Sequence, residues 1–593
     1  MKQFFMTMLG VFAGLVLFVI VLPIVLIMAA VSASSKPTTP STAVLELDLR
    51  GGLSDQAPSN PFSAFGGSSL SVMKVVDVLA QAQEDRSVKA LLVRLPEGGL
   101  TPAAADEVRQ AIRRFRASGK PVIAHSQGLQ PVGASISSYM VGASASELWM
   151  QNTASFQVTG LSTDQIFLGR AFERYGVRAD FEQRYEYKNA VNEYTQSDFT
   201  EPHREAMTAW MTSIYLSAIG NAAQDRKMTP AALRTAIEAG PYTAEQALAA
   251  RLIDKVGQVE EAEAEAKRRA GRRAEIVKFG DYASAAGERT GSGRNAIAIV
   301  GGEGAIMTGR GGGGDPFGGG SSIRSDDLAE AIYDAIEDKD VKAIVFRVSS
   351  PGGSPEASEQ ILAAVRAARA AGKPVVVSMG AYAASGGYWI SSEADEIVAQ
   401  PSPLTGSIGV FGGKFVVADA LGRFGVDMRG LSVGGDYADA FSPTRSFTAS
   451  QRRAFAASMD RIYDDFITRV STGRSLPQAR VREIARGRVW TGAQAKELGL
   501  VDHLGGLAEA IARAKALAKI PEGDSVRFKR YPEPQSPWEA LSEAFGVQSE
   551  AARALVMLGG VMADPNAQAL MREARAEQMR AQGAVVLADE PLR

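Results

Sequence analysis

The stretch VKAIVFRVSSPGGSPEASEQILAAVRAARAAGKPVVVSMGAYAASGGYW, residues 341–389, decides the fold. VKAIVFRV and KPVVVSM are short, continuous apolar runs rich in β-branched residues, the pattern of strands covered on both faces. Between them ASEQILAAVRAARAAG is rich in alanine and predicts a helix. Strand, helix and strand in that order make a parallel α/β unit. The unit closes on Ser385, set between two alanines and a glycine pair.

This unit has a second copy in the chain. VKA at 88–90 recurs at 341–343, GKPV at 119–122 recurs at 372–375, and GGSS at 66–69 recurs at 319–322, each displaced by 253 positions. Further on the displacement is 249, pairing Tyr139 with Tyr388 and YGV at 175–177 with FGV at 424–426. It ends at 248, where YTAEQALAARLID (242–254) echoes WTGAQAKELGLVD (490–502). Such a repeat sets the domain count. The expected division is an N-terminal anchor over 1–34, a first repeat over 35–290, a second over 291–520 and a helical tail over 521–593. GRGGGGDPFGGGSS (309–322) and its counterpart DQAPSNPFSAFGGSS (55–69) lack an apolar period and read as loops.

Composition narrows the chemistry. The 593 residues carry 64 Lys+Arg against 66 Asp+Glu, with no basic run to follow a phosphate backbone, so nucleic acid is not an expected partner. The absence of cysteine removes thiolate catalysis, thiolate metal sites and disulfides together. No cofactor or metal is expected, and the 309–322 loop lacks the lysine and hydroxyl of a phosphate-binding loop. Phe4–Val31 is almost unbroken in its apolar character and exceeds the roughly 20 residues that span a bilayer. With Lys2 as the flanking charge, the expectation is a single-pass anchor whose body is exported. AVSASS (30–35) would be the exit if the segment were instead a cleaved signal.

A duplicated domain is its own control, because a residue needed only for folding tends to appear in both copies. Ser385 faces Ile136 in the first repeat, and RVSSPGGS (347–354) faces RLPEGGL (94–100). Conversely, Lys188 in YEYKNAVNEYT (185–195) faces Tyr437. One copy offers a hydroxyl and the other an amine. The expected chemistry is a serine/lysine pair in which Lys188, made neutral by burial, takes the proton of Ser385, which attacks a carbonyl to form an acyl-enzyme. Tyr185, Tyr187, Ala190 and Val191 are the expected source of the dry setting. The amides of Gly353 and Gly386, with Gly352 next, are the candidate oxyanion donors.

With these residues assembled, the chain resembles the signal peptide peptidase A family in its long, tandem-domain form. The motifs are SPGGS (350–354), ASGGYW (384–389), LTGSIGV (404–410) and YKNAV (187–191), preceded by the N-terminal anchor. The resemblance implies two repeats similar to the Clp protease and crotonase superfamily, with serine from the second and lysine from the first. It implies cleavage of leftover signal peptides and other apolar peptides at the bacterial inner membrane, with the catalytic body on the periplasmic side. It also implies a homo-oligomer, a tetramer by family habit.

Other readings of the same residues stay in view. Lys414 in VFGGKFV is a rival base from the serine's own repeat, and His125, His203 and His503 read as packing or surface residues. Ser354, Thr405 and Ser407 are weaker candidates for a substrate groove, since hydroxyls near glycines often bond to backbone turns. A crotonase-like acyl-CoA enzyme would use the glycine-framed site without a serine nucleophile, and a noncatalytic membrane scaffold would need only the repeat and the anchor.

Overall fold

The computed structural model describes residues 39–56, 70–287, 291–311 and 322–532, together with Gly10 and Gly14. The expected anchor span, most of both glycine-rich loops and the tail from 533 lie outside the described residues. Among the described residues no helix is long and apolar enough to cross a membrane.

Each repeat is built on a parallel sheet, as the continuous apolar runs require. In the first, the strands lie in the order Lys255–Val256, Glu147–Met150, Val122–Ser126, Val88–Arg94, Ala43–Asp48 and Glu275–Lys278. In the second the matching order is His503–Leu504, Glu396–Ala399, Val375–Ala384, Val341–Ser350, Ala296–Glu303 and Arg527–Tyr531. That last strand lies within the span the sequence assigns to a helical tail, so the sheet of the second repeat runs past its expected end at 520. Helices cover both faces. In the second repeat Ser325–Glu337, Pro355–Ala370 and Gly386–Ser391 pack on one side of the sheet, and Leu507–Leu517 packs on the other.

The repeated motifs do the same physical work twice. Lys120 Nζ donates to the carbonyls of Ala82 and Asp85 at 2.7 and 2.6 Å, capping the end of the helix Val72–Glu84. Lys373 Nζ does so for Ala335 and Asp338 at 2.9 and 2.6 Å. Buried Tyr139 donates its hydroxyl to Leu252 O at 3.1 Å, and buried Tyr388 donates to Leu500 O at 2.8 Å. These helix ends and buried phenols need partners in both copies, which accounts for the conserved spacing.

The second repeat departs from the first where its central strand runs on. Val375–Ala384 pairs with Glu396–Ala399 through its first half, and through its last three residues with Leu404–Gly406, which in turn pairs antiparallel with Val489–Thr491. The two repeats are joined by an exchanged strand: Arg178–Gln183 of the first pairs antiparallel with Phe411–Val416 of the second. YEYKN follows directly, so the strand carries Lys188 onto the other repeat.

The second core depends on Phe346, wholly buried in Val341–Ser350. Phe346→Ala is expected to cost about 3–5 kcal/mol through the lost contacts and residual cavity. The check is the free energy from denaturant unfolding; a loss below about 1 kcal/mol would contradict a well-packed second core.

Candidate active site

Ser385 sits where the strand Val375–Ala384 turns into the helix Gly386–Ser391, with φ 52° and ψ −120°. Few residues other than glycine adopt such a backbone, and strain of this kind persists only where the surroundings hold it. Here Ser385 N donates to Gly406 O at 2.9 Å, and its carbonyl accepts from Tyr388 N and Trp389 N, each at 2.9 Å. The glycines after it are needed for space. A Cβ on Gly387 would lie 2.6 Å from Ser350 O, and one on Gly386 would lie 2.7 Å from Ser358 Oγ. The small-residue motif therefore lets the turn press against the segment Ser350–Ser354.

Lys188 comes from the first repeat and is 3% exposed. Its Nζ lies 3.1 Å from Ser385 Oγ and 2.9 Å from both Ser407 O and Ser407 Oγ. Burial alone pushes its pKa down to about 7, so near neutral pH a large share of this lysine is free amine. The dryness has an identifiable source. The segments around Ile408 and Gly487 hydrogen-bond to each other, Gly487 N to Ile408 O and Ser407 N to Arg488 O, both at 2.8 Å. A Cβ on Gly487 would lie 2.6 Å from Lys188 N, and one on Gly409 would lie 3.3 Å from Lys188 Cδ. Two glycines thus let backbone close directly around the side chain. The aromatic neighbours contribute less than expected, since Tyr185 is 45% exposed and the Tyr187 hydroxyl turns to Glu205 at 2.7 Å.

Beside the serine, the backbones of Gly353 and Gly386 approach closely: a Cβ on Gly386 would lie 3.0 Å from Gly353 N. Among the described residues neither N–H donates to another group. Gly352 differs, because its N–H donates to Ser350 Oγ at 3.1 Å; its φ of 110° serves the turn instead. The strand Ala305–Met307 runs alongside, bonded through Ile306 N to Gly352 O and through Ser354 N to Ile306 O, each at 2.9 Å. Met307 and Tyr382 are exposed on the segments flanking the turn and the serine.

The remaining candidates sort by their bonds. Lys414 is buried elsewhere, its Nζ donating to Ala440 O and Ser442 O at 2.5 and 3.0 Å and lying over the Phe447 ring. None of the three histidines hydrogen-bonds to Ser385: His125 meets Gly257 O, His203 packs among Phe167 and Phe199, and His503 lies beside Glu396. Ser354 caps the helix Pro355–Ala370 and Thr405 donates to Ala383 O at 2.8 Å, so both serve backbone. Ser407 is the exception. Its hydroxyl and carbonyl both engage the lysine, a role that only its place in LTGSIGV beside a glycine hinted at.

The sequence matches peptidase family S49 over residues 114–273 and 367–521, once in each repeat. It is 33% identical to Protease 4 of Salmonella typhi over 520 residues, covering 83% of this chain and 81% of that protein. It is 29% identical to Protease 4 of Haemophilus influenzae, covering 86% of each, and 29% identical to the chloroplastic serine protease SPPA of Arabidopsis thaliana, covering 83% of this chain and 72% of that one. These likenesses favour neither an acyl-CoA enzyme nor a scaffold. With two matched repeats and relatives similar over most of their length, the chain belongs to peptidase family S49 and is a serine peptidase.

Proposed function

We propose that the protein is a membrane-anchored endopeptidase that degrades cleaved signal peptides and other apolar peptides, using Ser385 as nucleophile and Lys188 as general base. The observation that carries this is the 3.1 Å approach of Lys188 Nζ to Ser385 Oγ by an amine whose pKa burial has pushed down to about 7. As free amine, Lys188 removes the serine proton while Oγ attacks the peptide carbonyl. The oxyanion of the tetrahedral adduct is received by the N–H groups of Gly353 and Gly386. The lysine, now ammonium, returns the proton to the departing amine, leaving an acyl-enzyme. Water, deprotonated by the same lysine, then releases the acyl group. Ser407 keeps the amine aimed throughout. Exposed Tyr382 and Met307 favour apolar peptide on either side of the serine, and one relative bears the name putative signal peptide peptidase SppA.

The finer architecture belongs to the same proposal: repeats of the Clp protease and crotonase kind, a Phe4–Val31 anchor in the bacterial inner membrane, and a body on its periplasmic side. So does assembly with further copies. The exchanged strand Arg178–Gln183 and its partner Phe411–Val416 have counterparts, at the displacement of 249, in 427–432 and 162–167. Among the described residues neither counterpart is paired into a sheet. Leu431 and Val433 are fully exposed and Ile166 is 72% exposed. Unpaired edges of this kind fit one another on a second copy, head to tail.

Four outcomes follow from this mechanism and assembly. Ser385→Ala is expected to abolish peptide hydrolysis, and Lys188→Ala to lower kcat at least about 100-fold, with the fold intact by circular dichroism. In the wild type kcat/KM should rise with pH through a midpoint near 7, because protonated Lys188 cannot accept the serine proton; a flat profile from pH 5 to 9 contradicts the assignment.

Lys188→Met tests the buried amine through stability. The folded-state pKa lies below the unfolded value, so burying the ammonium penalises folding in full below about 7, and the penalty falls away as pH rises toward the unfolded value near ~10.4. Lys188→Met should therefore melt above the wild type at pH 6, with the gap narrowing toward pH 10. A gap independent of pH would rule out a neutral buried lysine.

For assembly, Leu431→Asp with Val433→Asp should convert the oligomer to a monomer in light scattering. An unchanged mass would remove 427–433 from the interface.

A further inference from the structure

Arg347 is among the largest fully buried side chains, 1% exposed, and its guanidinium is divided between the two repeats. Within its own repeat it lies on Val341–Ser350, the strand that leads into the Gly352–Gly353 turn. Its Nη1 donates to Ser378 Oγ at 2.8 Å, on the neighbouring strand Val375–Ala384 that ends just before Ser385. From the lysine-bearing repeat it receives two carboxylates. Nε and Nη2 donate to Asp55 at 3.0 and 2.5 Å, and Nη2 and Nη1 donate to Glu107 at 2.8 and 3.4 Å.

Both carboxylates are seated against backbone of the serine-bearing repeat. A Cβ on Gly380 would lie 2.6 Å from Asp55 Oδ2, and one on Gly506 would lie 2.7 Å from Glu107 Oε1. Leu507 N also donates to Glu107 Oε1 at 2.6 Å. The helix Pro102–Ala117 that carries Glu107 extends the contact: Asp106 accepts from Ser402 Oγ, and Gln110 donates to Gln400 at 2.8 Å. Those partners precede Leu404–Gly406, and Ser407 follows. The counterpart of Arg347, at the displacement of 253, is Arg94. It is satisfied inside its own repeat, by Glu46 at 3.7 Å and Gln127 at 3.2 Å. Of the two arginines, only Arg347, on the serine-bearing repeat, is shared between repeats.

A buried ion cluster is a poor way to gain stability, because desolvation offsets the attraction; setting register is its best-attested use. We propose that Arg347, gripped by Asp55 and Glu107, is a positioning residue that sets the register between the repeats and thereby the approach of Lys188 to Ser385. This rests on the proposed dyad. It adds that the dyad's geometry is maintained on the opposite side of the turn, by a side chain that touches neither substrate nor either reacting group.

Arg347→Lys keeps the charge but loses the planar fork that reaches two carboxylates at once. The expected result is a folded, oligomeric protein with unchanged KM and kcat lowered roughly 10- to 100-fold, the scale of loss when reacting groups are slightly misplaced. The pH midpoint of kcat/KM should move upward, as water reaches a less tightly enclosed lysine. A neutral triple variant, Asp55→Asn with Glu107→Gln and Arg347→Met, should show the same kinetic signature. Wild-type kcat with an unmoved midpoint in folded Arg347→Lys overturns the proposal. Loss of folding in both variants also overturns it, since the cluster would then hold the fold rather than the register. If the wild type itself hydrolyses no peptide, that failure belongs to the proposed function. Register is then read by nitrogen NMR titration of the Lys188 amine, which should move toward the ordinary lysine range in Arg347→Lys; an unmoved titration overturns the proposal on its own.

Discussion

A lysine can accept a proton only as free amine, and in water near neutral pH almost none is free. The account of this protein therefore depends on one constraint: the amine of Lys188 must be kept dry while remaining within hydrogen-bonding distance of the Ser385 hydroxyl. Much of the surrounding structure serves this constraint. Gly409 and Gly487 allow backbone to close on the lysine stem, Ser407 holds the amine through its hydroxyl and carbonyl, and the exchanged strand Arg178–Gln183 brings the lysine across from the other repeat. The strained backbone at Ser385 is the complementary half, presenting the hydroxyl at the end of a strand fixed by Gly406.

Duplication explains how such an arrangement divides its parts. Features needed to hold a parallel sheet and its helices recur at constant displacement: the capping amines of Lys120 and Lys373, the buried hydroxyls of Tyr139 and Tyr388. Features on which the proposed chemistry rests do not recur. Ser385 faces an isoleucine, Lys188 faces a tyrosine, and the shared Arg347 faces an arginine that keeps to its own repeat. Each repeat has its own parallel sheet while holding only part of the proposed centre. The contact between unlike repeats is thus where both packing and reactivity are decided.

How far the sequence could be read follows from the same division. The strands Val341–Ser350 and Val375–Ala384 and the helix Pro355–Ala370 were legible because burial on both faces leaves unbroken apolar runs and alanine-rich periods. Ser385 and Lys188, which the structure brings within 3.1 Å, stand out in the sequence because the other copy shows what a merely structural position looks like. Residues whose role is set by through-space contact do not. Arg347 looks like any strand-end arginine, and its acids lie hundreds of positions away at Asp55 and Glu107. Ser407 looks like a turn hydroxyl, and Gly487 like a helix-stop glycine, until the lysine from the other repeat is threaded between them. The strand Arg527–Tyr531 escaped notice because its charged residues mask an edge position. The aromatic residues of YEYK pointed to a dry pocket correctly but for the wrong reason, since glycines and backbone enclose the amine.

The most direct test of the central claim is covalent. A fluorophosphonate reacts only with a serine whose hydroxyl is deprotonated on demand, so the purified wild-type protein and folded Lys188→Ala should be treated in parallel and the modified peptide mapped by mass spectrometry. The account requires a single adduct, on the oxygen of residue 385, and its near disappearance when the amine from the other repeat is removed. An adduct on any other serine, or undiminished labelling of residue 385 without that amine, would contradict it.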